Sequence, residues 1–204
     1  MPKDKSISHA RIIPAAKKEF LENGFEKASI RAIAASAGMT SAGLYRHFAD
    51  KEEMFAVLVQ PALDALKDLM EVQTRRAYLC LEKEDLDSMW SGDTDISRLV
   101  DVVYDHFDAF KLLLRLSAGT RFEHFFDEFV EIDQAETMRY MDALRARGIH
   151  VNDIVPEELH LLLNAYYSAF FEVVAHDFPR KDALHYLETL KQFFTPGWRA
   201  FLGF

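Results

Sequence analysis

The sequence has one cysteine, few glycines and prolines, and no long apolar run, and each deficit excludes a class of protein. Cys80 stands alone among 204 residues, which excludes a disulfide framework or a cysteine zinc finger and is typical of a reducing compartment. With 8 glycines and 6 prolines, the chain is not collagen-like or of low complexity. The lack of a run of about 18 apolar residues excludes a spanning helix. The N-terminal segment also lacks the features of a secretory signal, so we expect a cytoplasmic protein with no membrane partner.

The composition is that of a packed globular protein, with 50% hydrophobic, 13% aromatic and 28% charged residues. The net charge of −9 is unevenly distributed. Residues 1–51 include nine Lys or Arg and five Asp or Glu, whereas the rest of the chain has 15 basic and 28 acidic residues. A basic head on an acidic body suggests a polyanion-binding module joined to a second module, with chance clustering of surface charge as the alternative. We place the domains at 1–52 and 53–204.

Apolar residues recur at helical spacing along the chain, and the alternation typical of β-strands is absent. This predicts an all-α fold of about nine helices. Pro14 indicates either a helix that starts there or a kinked first turn, and Asn23-Gly24 indicates the end of that helix. Further helices are expected at 50–75, from Phe122 to Gly148, at 157–176 and at 181–195. Residues 82–95 are expected to be a loop or a broken helical stretch.

Residues 28–48 have the pattern of a helix, a tight turn and a second helix. Ser29 and Thr40 are suitable N-caps, and Gly38 can adopt the positive φ that a turn after Ala37 requires. Apolar side chains would pack the first helix inward and fix the second helix, predicted at 41–47, across it. This is the helix-turn-helix arrangement, in which the second helix enters the major groove of DNA.

The stretch from Ile12 to Leu58 resembles the DNA-binding head of the TetR family. The resemblance rests on several short segments that occur in register over about the first quarter of the chain. These segments are Ala15-Ala16 before Phe20, Asn23-Gly24-Phe25, Ser29-Ile30-Arg31-Ala32-Ile33-Ala34, Ala37-Gly38-Met39-Thr40, Gly43-Leu44-Tyr45-Arg46-His47-Phe48 and Asp50-Lys51-Glu52. Pro14 departs from the helix former that is usual in the family.

The resemblance implies a three-helix head and an all-α, helical-bundle body that dimerises and holds a small ligand. The last two helices of such a body pair with those of a second subunit, a place that segments 157–176 and 181–195 fit. The expected function is that of a homodimeric, sequence-specific transcriptional regulator of double-stranded DNA with a near-palindromic operator. We expect a repressor that a small, hydrophobic or aromatic effector releases from the operator.

Candidate DNA-binding residues lie in and around the predicted helix-turn-helix. The hydroxyls of Thr40 and Ser41 could meet a phosphate or a base edge, although Thr40 could equally be only an N-cap. Gly43 would permit close approach to DNA or close helix packing. Lys51 opposes the dipole of the next helix, which favours a phosphate contact over a solvated side chain. The full candidate set is Ser29, Arg31, Thr40, Ser41, Ala42, Gly43, Tyr45, Arg46, His47 and Lys51; the resemblance implies phosphate contacts for Tyr45 and His47.

The body is rich in aromatic residues, which could line a cavity for an aromatic or lipophilic ligand. Each of them could instead belong to an ordinary core, since apolar side chains at helical spacing usually face the core. Polar side chains among them would orient the ligand. The candidate ligand-binding residues are Phe107, Phe110, Arg121, Phe122, His124, Phe125, Tyr140, Asn164 and Tyr167.

No pattern for catalysis or for a cofactor is found. The eight histidines form no H-E-x-x-H or i, i+4 pair, and the nucleophile-elbow, Walker and dinucleotide motifs are absent. We therefore expect no enzyme, no metal and no cofactor. Two other hypotheses remain: a helical enzyme or carrier with an incidental basic helix-turn-helix, and a DNA-binding regulator controlled by a protein partner.

Pro61 interrupts the backbone bonding of the helix that joins head and body. A ligand in the body could tilt the part before Pro61 and change the distance between two recognition helices. The alternative is that the helix moves as one rod.

Overall fold

The computed structural model describes residues 5–83, 85 and 94–204. Within these residues the chain forms nine helices and no strand, which confirms the predicted all-α class. The helices are α1 (Lys5–Lys27), α2 (Ile30–Ser36), α3 (Ser41–Leu44), α4 (Lys51–Glu82), α5 (Thr94–Asp105), α6 (Phe107–Arg115), α7 (Phe125–Ala146), α8 (Pro156–Ala175) and α9 (Arg180–Leu202). Of the predicted loop at 82–95, residues 84 and 86–93 lie outside the described part.

The first helix starts earlier than predicted, and its backbone leaves helical geometry at the predicted place. It begins at Lys5, so Pro14 lies inside it and the expectation of a start at Pro14 is wrong. Its backbone leaves helical geometry at Gly24, with φ 70° and ψ 168°, as the Asn23-Gly24 signal predicts. Helical bonding resumes after this kink and continues to Lys27.

The second helix of the helix-turn-helix is shorter than the predicted 41–47. Its α-helical segment ends at Leu44, because the N–H groups of Arg46 and His47 donate to carbonyls only three residues back, at 3.4 and 2.9 Å. A tight turn of the 3₁₀ type therefore replaces the last α-helical turn. By contrast, α4 is longer than the predicted 50–75, and Pro61 lies within it.

The described residues divide into two compact units. The first comprises the described residues up to Asp64 together with His106–Phe125, and the second comprises Ala65–Asp105 with Phe126–Phe204. In the first unit, the N–H of Phe25 donates to the carbonyl of Leu116 at 2.9 Å, which ties the end of α1 to the end of α6. The functional boundary at 52/53 stays a prediction.

Each unit has its own apolar core. In the first, the rings of Phe20, Phe25 and Phe55 meet with centroids 5.4–5.8 Å apart. In the second, Met141 and Leu144 of α7 are fully buried in one cluster of apolar side chains. Among the described residues, none of the helices combines the length and the apolar character that a membrane span requires.

Candidate nucleic-acid interface and internal cavity

The start of α2 is fixed by two side chains. Ser29 is its N-cap, and the Ser29 hydroxyl accepts the N–H of Ala32 at 3.3 Å. The N–H of Ser29 itself donates to the carboxylate of Glu19 in α1 at 2.8 Å. The predicted cap is thus confirmed, and α1 holds the first helix of the motif in place.

The turn between α2 and α3 depends on Gly38. Its φ is 68°, in the region that favours glycine. The N–H of Gly38 donates to the carbonyl of Ala35 at 3.0 Å, and the N–H of Met39 to that of Ala34 at 2.9 Å. These bonds satisfy the last carbonyls of α2 while the chain reverses direction.

The start of α3 is capped by Thr40. Its hydroxyl accepts the N–H of Gly43 at 3.1 Å, so the capping role is confirmed. A Cβ at Gly43 would lie 3.3 Å from that hydroxyl oxygen, so a larger residue would crowd the cap. This is a local reason for glycine at this position, besides the predicted close approach to DNA or close packing of helices. Leu44 and Phe48 are buried at 0% and 2% exposure, so they fix the inner side of this segment.

The predicted DNA-binding residues form an accessible surface around this motif. Ser29, Arg31, Thr40, Ala42 and Arg46 are exposed, and Tyr45 is exposed to 50%. Four further candidates are half-buried: Ser41, Gly43, His47 and Lys51. The exposed residues offer a phenol, two guanidiniums and two hydroxyls to phosphates and base edges, and their contact with DNA stays a prediction.

Lys51 has a different environment from the one expected. Its ammonium donates to three backbone carbonyls, those of Phe25, Glu26 and Ala28, at 2.6, 3.2 and 3.4 Å. The ammonium also lies 4.3 Å from the centroid of the Phe25 ring. Because an ammonium has three N–H donors, these carbonyls engage all of them. The geometry favours a structural role, in which Lys51 neutralises the carbonyl end of α1.

His47 packs against the first helix. Its ring lies edge-on to His9 with centroids 5.8 Å apart, and His9 in turn stacks on Phe48 at 4.7 Å. The Nδ1 atom of His47 is buried without a hydrogen-bond partner among the described residues. His47 thus contributes to the packing of the motif against α1, and its contact with a phosphate stays a prediction.

The second unit contains a cavity of about 240 Å³. It is walled by residues of α4, α5, α7 and α8, by Leu202 at the end of α9 and by Phe204. Two of the predicted ligand-binding residues, Tyr140 and Tyr167, line it. Its volume is somewhat below the roughly 300–1,000 Å³ that is usual for pockets of drug-sized ligands, so a smaller molecule would fit.

The other seven predicted ligand-binding residues do not line this cavity. Phe110 and Phe125 are buried and pack edge-to-face at 6.4 Å, while Phe122 packs against Phe55 at 6.0 Å. The remaining four are exposed or half-buried elsewhere: Phe107, Arg121, His124 and Asn164. A stripe at helical spacing could not distinguish core from cavity, and a ligand role for these seven stays untested.

The cavity also contains a carboxylate that the sequence pattern did not single out. The hydroxyl of Tyr167 donates to Oδ2 of Asp133 at 3.0 Å. Burial raises the pKa of Asp133 to about 6; the Tyr167 hydrogen bond opposes this increase, and the charge of Glu136 adds to it. The signal in the sequence was the position of Asp133, three or four residues from Phe129, Val130 and Thr137 on the inner stripe of α7.

Glu136, the second carboxylate of the cavity, already has a partner. The guanidinium of Arg139 donates from Nε to Oε2 of Glu136 at 3.0 Å. Asp133 is therefore the cavity carboxylate without a basic partner among the described ion pairs. In the part of the chain that the structure describes, no cluster of three or more His, Cys, Asp or Glu is arranged for a metal ion.

Known proteins are similar to this chain both in the helix-turn-helix region and over its whole length. Residues 12–58 match the model of bacterial regulatory proteins of the tetR family. The HTH-type transcriptional regulator UidR of Escherichia coli K12 is 23% identical over all of this chain and 95% of its own. A 58-residue segment, 28% of this chain, is 33% identical to 31% of the HTH-type transcriptional repressor AcnR of Corynebacterium efficiens.

One solved structure is similar over most of the chain. It is a protein from Mesorhizobium loti described as a TetR-family transcriptional regulator, with a TM-score of 0.46 and 17% identity. The similarity covers 94% of this chain and 96% of the other.

Proposed function

We propose that this chain, a transcriptional regulator of the TetR family, binds double-stranded DNA as a homodimer and represses transcription until a small effector releases it. The observation that supports DNA binding is the capped helix-turn-helix of α2 and α3, which lies wholly within the matched residues 12–58. The proposed place of action is the cytoplasm.

DNA recognition is assigned to the exposed side of α3 and the turn after it. Tyr45 and Arg46 are accessible and provide a hydroxyl and a guanidinium for phosphates or base edges. Ser41, in the first turn of α3, lies where free backbone N–H groups can meet phosphate. One head reads only a half-site, so a dimer is expected to bind a near-palindrome with half-sites about 34–36 Å apart.

Dimerisation is supported by uncharged, exposed stripes on the last two helices. On α8 the stripe consists of Leu161, Ala165 and Ser168, and Leu161 is exposed to 68%. On α9 it follows helical spacing through Thr189 and Phe193 to Gly197. Small and apolar side chains at such spacing suit a second helix, and the proposed partner is a second copy of this chain through 157–176 and 181–195.

Release by an effector is supported by the cavity and by the extent of α4. Residues 51–64 of α4 belong to the first unit, whereas Leu66, Leu69 and Met70 of the same helix line the cavity in the second. One helix thus connects the proposed ligand site with the proposed DNA-binding unit in the chain. The cavity favours a ligand over control by a protein partner alone. Whether Pro61 is a hinge within this helix stays a prediction.

The experiment that tests DNA recognition is selection from a random pool of double-stranded DNA by the purified full chain. We expect enrichment of a two-fold symmetric sequence. Arg46→Ala should abolish or alter the enriched sequence, while Arg75→Ala, which removes an exposed arginine from α4 in the second unit, should not. Failure to enrich any sequence would contradict the proposal, as would identical selection by the Arg46 variant.

A further inference from the structure

The walls of the cavity combine aromatic rings with negative charge. Five aromatic side chains line it, and two pairs of them meet edge-to-face. Phe129 and Tyr167 have centroids 4.6 Å apart at an interplanar angle of 72°, and Tyr78 and Tyr140 have centroids 5.4 Å apart at 85°. In such pairs the edge of one ring meets the face of the other, and the face of an aromatic ring carries partial negative charge.

The charged groups of the cavity are of one sign. Asp133 and Glu136 are among its lining residues, and none of the described residues that line it is Lys, Arg or His. Arg139 lies close enough to pair with Glu136. Arg147 donates to the carbonyl of Leu81 at 2.8 Å and is not a lining residue. Asp133 is therefore left to face a ligand.

We propose that this cavity binds a small organic cation, an amine or quaternary ammonium on an apolar or aromatic body, with its charge against the carboxylate of Asp133. This inference rests on the proposed function, because it assigns a chemical class to the effector. The aromatic faces attract a cation, and the aliphatic wall accepts the apolar body. An anionic ligand would meet the charges of Asp133 and Glu136 with no basic lining residue to offset them.

The ionisation of the Asp133 carboxyl group agrees with a cationic ligand. Burial is the main reason that its pKa is raised, to about 6, so the carboxylate is ionised at neutral pH but incompletely stabilised by its surroundings. Tyr167 donates to one of its oxygens and thereby fixes the direction of the carboxylate. A cation against it would supply the compensating charge that the protein itself does not supply.

The test is calorimetric titration of the full-length protein with four matched probes. Phenethylammonium and benzyltrimethylammonium are the cations, phenethyl alcohol is the neutral analogue, and hydrocinnamate is the anion. We expect both cations to bind about tenfold or more tightly than the alcohol, and hydrocinnamate to bind most weakly. Equal binding of the alcohol, tighter binding of the anion, or no binding of either cation at millimolar concentration would overturn the proposal.

Two variants test whether the charge of Asp133 is responsible for the preference for cations. Asp133→Asn keeps an acceptor for the Tyr167 hydroxyl and removes the charge, so the preference for cations should fall by about tenfold while alcohol binding is retained. Glu131→Gln removes an exposed carboxylate from the same helix and should leave the preference unchanged. An unchanged preference in Asp133→Asn would overturn the role of Asp133. If that variant does not fold, the probe series on the unmodified protein decides.

DNA binding is measured separately, so the two proposals fail in different ways. A protein that selects DNA but prefers no cation contradicts this inference alone. A protein that prefers cations in an Asp133-dependent way but selects no DNA contradicts the proposed function and supports the ligand class. Cation binding without release of selected DNA supports the cavity as a cation site and contradicts the assignment of that cation as the effector.

Discussion

At the scale of single residues, Lys51 was predicted to bind a DNA phosphate, but its contacts favour a role in stabilising the fold. Its three donors are engaged by carbonyls at the end of α1. We expect Lys51→Ala to lower the free energy of unfolding by about 1–2 kcal/mol, since the carbonyls would no longer accept charge-assisted hydrogen bonds. Urea denaturation measures this change.

The matched control is Lys18→Ala, which removes the same charge from an exposed site with one loose partner, Glu22 at 3.9 Å. That variant should change stability by less than about 0.5 kcal/mol. The salt dependence of DNA binding separates the two roles of Lys51. If Lys51 is structural, Lys51→Ala leaves the slope unchanged, whereas if Lys51 binds a phosphate, the substitution reduces the slope by about 1.

Asp133 should make stability depend on pH in a defined direction. Its pKa is raised to about 6 by burial, above the value of an unfolded chain, so the folded protein binds more protons between about pH 4 and 6. The free energy of unfolding should therefore fall as pH rises through this window. Asp133→Asn removes the effect, so relative to the unmodified protein the variant should gain on the order of 1–3 kcal/mol between about pH 4 and pH 7.5.

Urea denaturation at several pH values checks this prediction. A stability difference between Asp133→Asn and the unmodified protein that is the same at every pH would contradict it. The same titration in the presence of a bound cation should show a smaller effect of pH, because the ligand stabilises the ionised carboxylate.

Residue types that act locally were predictable from the sequence, and those that act through packing were not. The caps Ser29 and Thr40 and the turn glycine Gly38 depend on neighbours within a few positions, and the structure has them as predicted. The carbonyl partners of Lys51 are 23 to 26 positions away. Asp133 faces a cavity lined by residues of five helices, which no local pattern specifies.

At the scale of elements, the turn between α2 and α3 should be sensitive to a side chain at Gly38. Its φ of 68° strains any other residue, and a Cβ there would collide with the guanidinium of Arg11. Gly148, with φ 76° and nothing within 4 Å of its Cβ position, is the matched control for strain alone. We expect Gly38→Ala and Gly148→Ala each to cost about 1 kcal/mol, because the long Arg11 side chain can move away.

Thermal or urea denaturation of the two variants compares these costs. A loss from Gly38→Ala that exceeds the loss from Gly148→Ala by several-fold would mean that Arg11 is held in place, contrary to this account. Restoration of stability by Arg11→Ala in the Gly38→Ala background would identify the collision as the reason.

The presence of helices was predictable because apolar residues recur at helical spacing. Several helix boundaries were not predictable in this way. The end of α3 at Leu44 results from bonds to carbonyls three residues back, a choice that the spacing of Leu44 and Phe48 does not reveal. Pro14 lies within α1, where its signal predicted a start or a kink. A proline removes only one donor, which the packing of the buried Ile12 and Ala16 can offset.

At the scale of the whole molecule, the assembly should depend on the exposed side chains of α8 and α9. Phe193 is exposed to 77%, so Phe193→Glu would place a charge in the proposed interface. We expect that variant to weaken the dimer by about 30-fold or more. Ile132→Glu is the control, since Ile132 is exposed to 57% on α7, outside the proposed interface. Sedimentation at micromolar concentration measures both, and a monomeric unmodified protein would contradict the dimer.

The central claim is that two copies of the α2–α3 motif read one symmetric DNA site. Methylation interference on a sequence selected by the full chain tests this claim most directly, because methyl groups on guanine N7 report contacts in the major groove. The account predicts two clusters of interference related by two-fold symmetry, with centres about one helical turn, or roughly 10–10.5 base pairs, apart. A single cluster, or clusters without symmetry, would contradict it.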